Sequence, residues 1–168
     1  MNIRMKRYIF CIIFLLFNCP SHINAETEAE FFFRRGKELY ESKQYNFAIE
    51  NMEKALAADP AYYRAANMLG KIYRKKKLMK KSLDYYLMSL SANPSQSDVH
   101  YIIGTLYDYF FSTIHSTNHY LKAIEIDPSN RYAHLKLVRY FILEKNDAQT
   151  ANKHQEISFS LGKIVAEP

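Results

Sequence analysis

A spacing of 34 residues recurs along the chain and restricts its fold more than any other feature. Three of the four glycines stand at this interval, at Gly36, Gly70 and Gly104. Three of the five prolines follow the same interval, and each comes directly after Asp or Asn: Pro60, Pro94 and Pro128. A fixed period of this length indicates a repeat protein, in which copies of one unit stack on one another.

Each block carries two apolar stretches with helical spacing. In the first block they are Phe32, Gly36 and Leu39, then Tyr45, Ala48 and Met52. Apolar residues three or four apart lie on one side of a helix, so each stretch predicts an amphipathic helix. The short junction between them predicts an antiparallel pair. The Asp or Asn before each proline is expected to cap, and the proline to open, the next helix.

Small side chains recur where the paired helices must approach closely. These predicted repeat-packing residues are Gly36, Gly70, Gly104, Ala48, Ser82, Ser116, Ala55, Ser89 and Ala123. Larger residues there would separate the helices. The fourth block has Val138 in place of glycine and Thr150 in place of the small residue of the second helix, which indicates a degenerate unit that caps the array.

The first block, residues 29–60, resembles the tetratricopeptide repeat (TPR) family in its aromatic, Gly, Tyr-x-x-Ala, Ala and Asp-Pro positions. The second block keeps Leu69-Gly70 and Tyr86, and the third keeps Ile103-Gly104 and Tyr120. The resemblance covers repeats at about 29–62, 63–96 and 97–130, followed by the degenerate unit 131–168. It implies an all-α fold, a right-handed superhelical solenoid of antiparallel helix pairs.

One departure from the family concerns the turn between paired helices. Lys43, Lys77 and Phe111 stand where TPR proteins frequently have glycine. A left-handed residue there would cost about 1 kcal/mol more than glycine. A different turn conformation is the alternative.

The resemblance also implies a peptide-binding groove along the first helix of each pair. The implied groove residues are Phe33, Lys37, Tyr40, Arg64, Asn67, Lys71, Arg74, Tyr101, Thr105 and Asp108. The central third is basic, which favours a protein or peptide partner with acidic and aromatic side chains; the alternative is a solvated helix face. Phe33 and Tyr101 replace charged or amide residues of the family's carboxylate clamp, so a cytosolic chaperone role is not expected.

Residues 1–25 are predicted to be a secretory signal. Three cations in the first eight residues precede the apolar run 9–17, which is too short to span a bilayer. Cleavage after Ala25 would leave residues 26–168 as the helical repeat domain. The alternative is a bacterial lipoprotein signal with acylation at Cys19. Both interpretations predict an extracytoplasmic protein that is periplasmic, envelope-associated or secreted.

The formal net charge of +6 includes three cations of the predicted signal, so +3 remains for the rest. This modest excess predicts no nucleic-acid partner. The densest basic run, residues 74–81, is expected to be a solvated turn or, alternatively, a contact to an anionic membrane surface. No nucleophile with its base and no phosphate-binding loop has useful spacing, so neither an enzyme nor a cofactor is expected.

Histidines and aromatics leave further alternatives open. His115 and His119 stand four apart and would need a third ligand such as His154 to hold a metal, so solvated histidines are expected. His100 and His134 occupy a packing position one period apart and are expected to fill the core. The four aromatics of residues 107–111 are expected to pack under the fourth unit or to form a contact patch for a partner or a second copy.

Overall fold

The computed structural model describes residues 26–164, whose side chains are defined through residue 162. These residues form eight helices: α1 (Glu28–Glu41), α2 (Tyr45–Ala58), α3 (Tyr63–Lys75), α4 (Met79–Ala92), α5 (Ser97–Tyr109), α6 (Thr113–Ile126), α7 (Arg131–Leu143) and α8 (Ala148–Ile164). Consecutive helices pack as pairs, and each pair packs on the next. The predicted all-α repeat architecture is confirmed. The predicted signal and Cys19 lie outside the described residues. None of the eight helices is long and apolar enough to cross a membrane.

The three periodic glycines lie at the contact between the paired helices. A Cβ atom on Gly36 would lie 2.7 Å from Met52 Cε, and one on Gly104 would lie 2.5 Å from the Tyr120 ring. The other small residues of the repeat-packing set are also buried: Ala48, Ser82, Ser116, Ala55, Ser89 and Ala123. The chain therefore has no room for larger side chains where its helices cross.

The turns between paired helices adopt the left-handed conformation. Lys43, Lys77 and Phe111 have φ of 61°, 60° and 58°. The first of the two turn alternatives is therefore correct, although no glycine is present. A residue with a Cβ atom is strained there by about 1–2 kcal/mol.

The prolines do not open helices, contrary to the sequence interpretation. Helices α3, α5 and α7 begin three residues after each proline. The preceding Asp or Asn instead accepts a hydrogen bond from the backbone two residues on: Asp59 Oδ1 from Ala61 N at 2.9 Å, and Asp127 Oδ1 from Ser129 N at 2.9 Å. These side chains stabilise the turn between repeats rather than a helix N-terminus.

The fourth unit is a complete helix pair with a shifted register. Its connection holds one more residue than the others and includes Asn146 at φ 50°. Small residues therefore recur 35 rather than 34 positions after those of repeat 3. Ala151 and Ser158 are fully buried there, and Thr150 lies beside the contact. The assignment of Thr150 to the small-residue position was wrong because the extra turn residue was not visible in the spacing.

Three apolar clusters run along the stack, each joining one repeat to the next. The first joins Phe33 and Met52 to Leu69, the second packs Tyr86 on Ile103, and the third contains Tyr120, Ala123, Ala133 and Leu137. Helix α1 also contacts α3 directly. The first helices of successive pairs are thus adjacent, and their exposed sides form one continuous surface, called the groove face below.

Candidate partner-binding groove

The N-terminal end of the groove face is occupied by a network of its own side chains. The Arg64 guanidinium lies 4.5 Å from the centre of the Phe33 ring, and its Nη1 atom lies 3.1 Å from Glu30 Oε2. Tyr62 also donates a hydrogen bond to Glu30. Phe33 is only 7% exposed. Arg64 is therefore paired with Glu30 and covers Phe33, so Phe33 is buried, whereas the Arg64 side chain remains 49% exposed.

The Tyr62 hydroxyl remains a donor at neutral pH. Burial, reinforced by the Glu30 carboxylate, raises the pKa of Tyr62 to about 12. Thr27 caps α1 through a 3.2 Å bond from Glu30 N, which fixes the start of the helix that carries this carboxylate.

The middle of the groove face is a cluster of cations around one tyrosine ring. Lys71 Nζ lies 5.0 Å and Lys75 Nζ 5.4 Å from the centre of the Tyr40 ring. Lys37 and Arg74 are exposed nearby on the same helices. Among residues 26–162, no carboxylate lies within 4.0 Å of any of these cations. We call Lys37, Lys71, Arg74 and Lys75 the basic cluster.

Tyr40 orients Lys71 and Lys75 of the basic cluster. A hydrogen bond with Tyr40 raises the pKa of Lys75 above its usual value. Ring faces attract ammonium groups by about 0.5–1 kcal/mol at exposed sites. Sequence reasoning found Lys37, Tyr40, Lys71 and Arg74 but missed Lys75.

Asn67 has a structural role within the groove face. Its Nδ2 atom donates to Gln96 Oε1 at 2.7 Å, which ties α3 to the connection before α5. This bond fixes the spacing between the second and third repeats.

The C-terminal third of the groove face is formed by tyrosines and one ion pair. Tyr101 lies between Tyr120 and Tyr132, with ring centres 6.0 Å and 5.8 Å away. Asp108 accepts from the Tyr120 hydroxyl at 2.6 Å and from Lys136 Nζ at 3.1 Å. Thr105 Oγ1 donates to Ile102 O within its own helix at 2.7 Å. Each predicted residue of this third is therefore already in contact with another residue of the chain.

The charge of Asp108 is stabilised by its neighbours. Burial alone would raise the pKa of Asp108, but hydrogen bonds from Tyr120, Ser116 and Lys136 outweigh burial and lower it. Burial and the Asp108 carboxylate in turn raise the pKa of Tyr120.

A cleft of about 340 Å³ continues the groove face from Asp108 into the fourth unit. Its lining includes Lys136, Arg139, Tyr140 and Leu143. Arg139 was missed by sequence reasoning, although it stands at the repeat position of Lys37, Lys71 and Thr105. Extending the 34-residue spacing through the first helix of the fourth unit would have found it.

The basic run of residues 74–81 forms the exposed turn between α3 and α4. Lys76 Nζ donates to Asn46 Oδ1 at 2.8 Å, and Lys81 Nζ lies 5.3 Å from the Tyr73 ring. Part of the run therefore contacts neighbouring helices, while Arg74 and Lys75 belong to the groove face.

The aromatics at the end of α5 do not pack under the fourth unit. Tyr109 is 59%, Phe110 41% and Phe111 96% exposed. The packing alternative is wrong, because these three side chains remain exposed at the end of α5. Tyr107 is half-buried and stacks on two histidines.

The histidines agree with the sequence interpretation in part: His134 is buried and His115 is exposed as expected, but His119 is not a solvated side chain. His119 is half-buried, and its Nδ1 atom lies 3.0 Å from His100 Nδ1. His134 is 4% exposed and pairs with His154 in the same way. In the described part of the chain, no three metal-binding side chains converge.

Comparison with known proteins bears on the architecture. The family model of the tetratricopeptide repeat matches residues 29–62 and 63–96, the bounds that the 34-residue period predicts. The chain therefore contains two tetratricopeptide repeats, at residues 29–96. Its repeats support a protein–protein interaction scaffold, the coarse function that the sequence predicted.

Solved structures of MamA share the fold of this TPR chain. A crystal structure of MamA superposes with a TM-score of 0.72 at 20% identity, over 85% of this chain and 83% of that one. MamA from Desulfovibrio magneticus RS-1 gives a TM-score of 0.68 at 22% identity, over 84% and 80% of the two chains. At these identities the likeness concerns the fold alone.

One curated relative of this TPR chain is an enzyme. The UDP-N-acetylglucosamine–peptide N-acetylglucosaminyltransferase of Giardia intestinalis is 32% identical over 95 residues, which are 56% of this chain and 6% of the transferase. Because the chain spans so small a part of that protein, the match gives no support for catalysis.

Proposed function

We propose that this TPR chain is an exported, non-catalytic scaffold whose basic cluster binds an acidic segment of a partner protein. The observation that carries the proposal is the basic cluster on the groove face: Lys71 and Lys75 lie against the Tyr40 ring, and Lys37 and Arg74 are exposed on the same helices. No carboxylate of residues 26–162 lies within 4.0 Å of these four cations. At the N-terminal end of the same face, Glu30 already neutralises Arg64. The part of the groove face that can bind an acidic segment is therefore smaller than the sequence implied.

Charge and aromatic contact would act together in this complex. The cations orient an acidic segment through electrostatic complementarity. An aromatic side chain of the partner would enter the cleft beside Arg139 and Tyr140, where apolar and cationic groups adjoin. Since the cations are exposed, the affinity should fall as salt is raised.

Binding of synthetic peptides tests this proposal. The probe is an array of 15-residue peptides that contain Glu together with Tyr or Phe, beside the same peptides with Gln in place of Glu. We expect the Glu peptides to bind, and the double variant Lys71→Glu/Arg74→Glu to weaken them by tenfold or more, about 1.4 kcal/mol.

The matched control is Arg35→Glu/Lys80→Glu. It makes the same change in net charge with two exposed residues outside the predicted groove. The control should retain binding. Equal binding by wild type and the Lys71→Glu/Arg74→Glu variant, or equal loss in both variants, would show that the basic cluster is not the site.

Export is the second part of the proposal, and it is supported by the charge and apolar pattern of residues 1–25. Mass spectrometry of the mature N-terminus distinguishes a free Glu26 from an acylated Cys19. The acylated form would support the alternative of a lipid-anchored structural or oligomerising envelope protein, with membrane contact through the lipid. An uncleaved N-terminus would contradict both.

A further inference from the structure

Two histidine pairs occupy equivalent places in the last two repeats. His100 on α5 faces His119 on α6, with their Nδ1 atoms 3.0 Å apart. His134 on α7 faces His154 on α8, with Nδ1 atoms 2.8 Å apart. Each pair therefore links the two helices of one repeat.

The tautomer of each histidine follows from its other contact. His100 Nε2 lies 3.2 Å from the Pro94 carbonyl oxygen, which can only accept a hydrogen bond. His100 must therefore carry its proton on Nε2 and accept on Nδ1, so His119 donates from Nδ1. His134 Nε2 lies 3.0 Å from Pro128 O, and the same reasoning makes His154 a donor from Nδ1. Each pair joins two helices and the turn before them.

A third ring completes each arrangement. His119 stacks on Tyr107 of α5 at 5.6 Å between centres, and His154 stacks on Phe141 of α7 at 5.4 Å. The stacking holds the second histidine of each pair at the interface. The imidazoles are thus enclosed by helices on two sides, where a charge is poorly solvated.

The first two repeats have no titrating pair at these positions. The residues that correspond to a histidine pair are Phe32 and Asn51 in repeat 1, and Ala66 and Tyr85 in repeat 2. In repeat 2, Tyr85 stacks on Tyr73 at 5.3 Å, so the same contact is made by rings that stay neutral. At this contact, side chains that change charge between pH 4 and 7 are therefore found in the last two repeats and not in the first two.

We propose that the two histidine pairs are acid-sensitive contacts. Their protonation loosens the C-terminal repeats, residues 97–164, and leaves the first two repeats intact. When both members of a pair carry two protons, an N–H faces another N–H at about 3 Å, and the hydrogen bond becomes a repulsion between like charges. Separation of the two helices relieves this repulsion and exposes the half-buried rings of His119 and His154 fully to water.

The surrounding groups favour the neutral pairs. Burial lowers the pKa of His100; Lys122 adds to this effect, while Glu125 opposes it. Burial, His100 and His115 lower the pKa of His119 to about 4, and Tyr107 covers one face of its ring. Burial, His134 and Lys153 lower the pKa of His154.

The direction of the pH effect follows from these shifts. Histidines of the unfolded chain take up protons near pH 6.5, whereas His100, His119 and His154 of the folded chain have lowered pKa values and resist protonation until lower pH. Stability is therefore full above about pH 6.5 and is lost as the pH falls towards about 4. For His119 alone, the unfolding equilibrium constant should rise on the order of tenfold between pH 7 and pH 5.

Nuclear magnetic resonance of the full chain tests the geometry directly. Long-range ¹H–¹⁵N spectra at pH 7 should show His100 and His134 as Nε2–H tautomers, and His119 and His154 as Nδ1–H tautomers. Titration should give pKa values for His119 and His154 well below 6.5. Nε2–H tautomers at His119 and His154, or pKa values at or above 6.5, would overturn the proposal.

The chain itself supplies a matched variant for the stability test. His100→Ala/His119→Tyr together with His134→Ala/His154→Tyr copies the residues of repeat 2 into both pairs. Urea unfolding at pH 7 and pH 5, followed by amide exchange for each repeat, should show the acid destabilisation of residues 97–164 in wild type and its loss in the variant. The control His115→Gln should keep most of the wild-type effect.

An equal rise of the unfolding constant in wild type and in the four-site variant would contradict the proposal, as would acid loosening spread evenly over all repeats. If the variant fails to fold, the tautomers and pKa values of the wild type still decide the question. Neither experiment involves the basic cluster, so the result is independent of the proposed partner.

Discussion

At the scale of single residues, each periodic glycine is matched to the residue sixteen positions further on. Gly36 meets Met52, Gly70 meets Tyr86, and Gly104 meets Tyr120. Where the partner is a tyrosine, its flat ring lies against the glycine backbone. A Cβ atom at these positions would have to displace a buried ring that has little freedom to move.

Replacing Gly104 by Ala should lower the free energy of unfolding by about 1–2 kcal/mol, because overpacking outweighs the helix propensity of Ala. The control is Gly162→Ala, where the nearest atoms belong to the end of the Arg131 side chain at 3.1 Å rather than to a buried ring. Urea unfolding should show Gly162→Ala as neutral or stabilising. A Gly104→Ala variant as stable as wild type would contradict the close contact with Tyr120.

The left-handed turn residues give a prediction of the opposite sign. Lys77 has φ of 60°, so Lys77→Gly removes backbone strain and should stabilise the chain by about 0.5–1 kcal/mol after the entropy of glycine is subtracted. Lys80→Gly, within helix α4, should destabilise it by about 1 kcal/mol. Thermal unfolding of the two variants should therefore shift in opposite directions. A loss of stability in both would contradict the strained turn.

At the scale of helices, one extra residue in the connection shifts the register of α8 against α7. The connection before α8 is longer by one residue, so the positions that face α7 move from Thr150 to Ala151 and from Ile157 to Ser158. Ala151 and Ser158 continue the pattern of small side chains. The second half of the unit looked degenerate because it was compared at the wrong interval, whereas Val138 in the first half does replace the periodic glycine.

This register predicts the response to larger side chains. Ala151→Leu should cost about 1–3 kcal/mol in unfolding free energy, because Ala151 is fully buried at the helix contact. Thr150→Leu should cost clearly less, since Thr150 is only half-buried. Chemical denaturation at neutral pH compares the two. If Thr150→Leu destabilised the chain more than Ala151→Leu, the helix contact would lie at Thr150, as the 34-residue spacing predicts.

At the scale of the whole molecule, each repeat is stabilised by its contacts with the adjacent repeats. The last helix pair covers Tyr120 and Ala123 of repeat 3 through Ala133 and Leu137. No cluster of the described residues joins the first repeat to the last. Such a chain behaves as a row of units coupled only to adjacent units.

A chain that ends at residue 130 should therefore lose stability mainly in repeat 3, since the faces of Tyr120 and Ala123 become exposed to water. Amide exchange should increase in α5 and α6 and remain near wild type in α1 and α2. Uniform loss of protection in all helices would show that the stack unfolds as one unit and would contradict nearest-neighbour coupling.

The sequence by itself determined the architecture, because the same local pattern occurs several times in a repeat protein. Spacing of glycines and apolar residues gave the paired helices and their order. Tertiary structure decided which groove residues remain available. Glu30 neutralises Arg64 from 34 residues away, and Tyr120 with Lys136 holds Asp108. It also decided the register of α8 and the histidine pairs. Period and helical spacing report which residues share a position in each unit, whereas charge balance and hydrogen-bond partners depend on side chains that meet only when units stack.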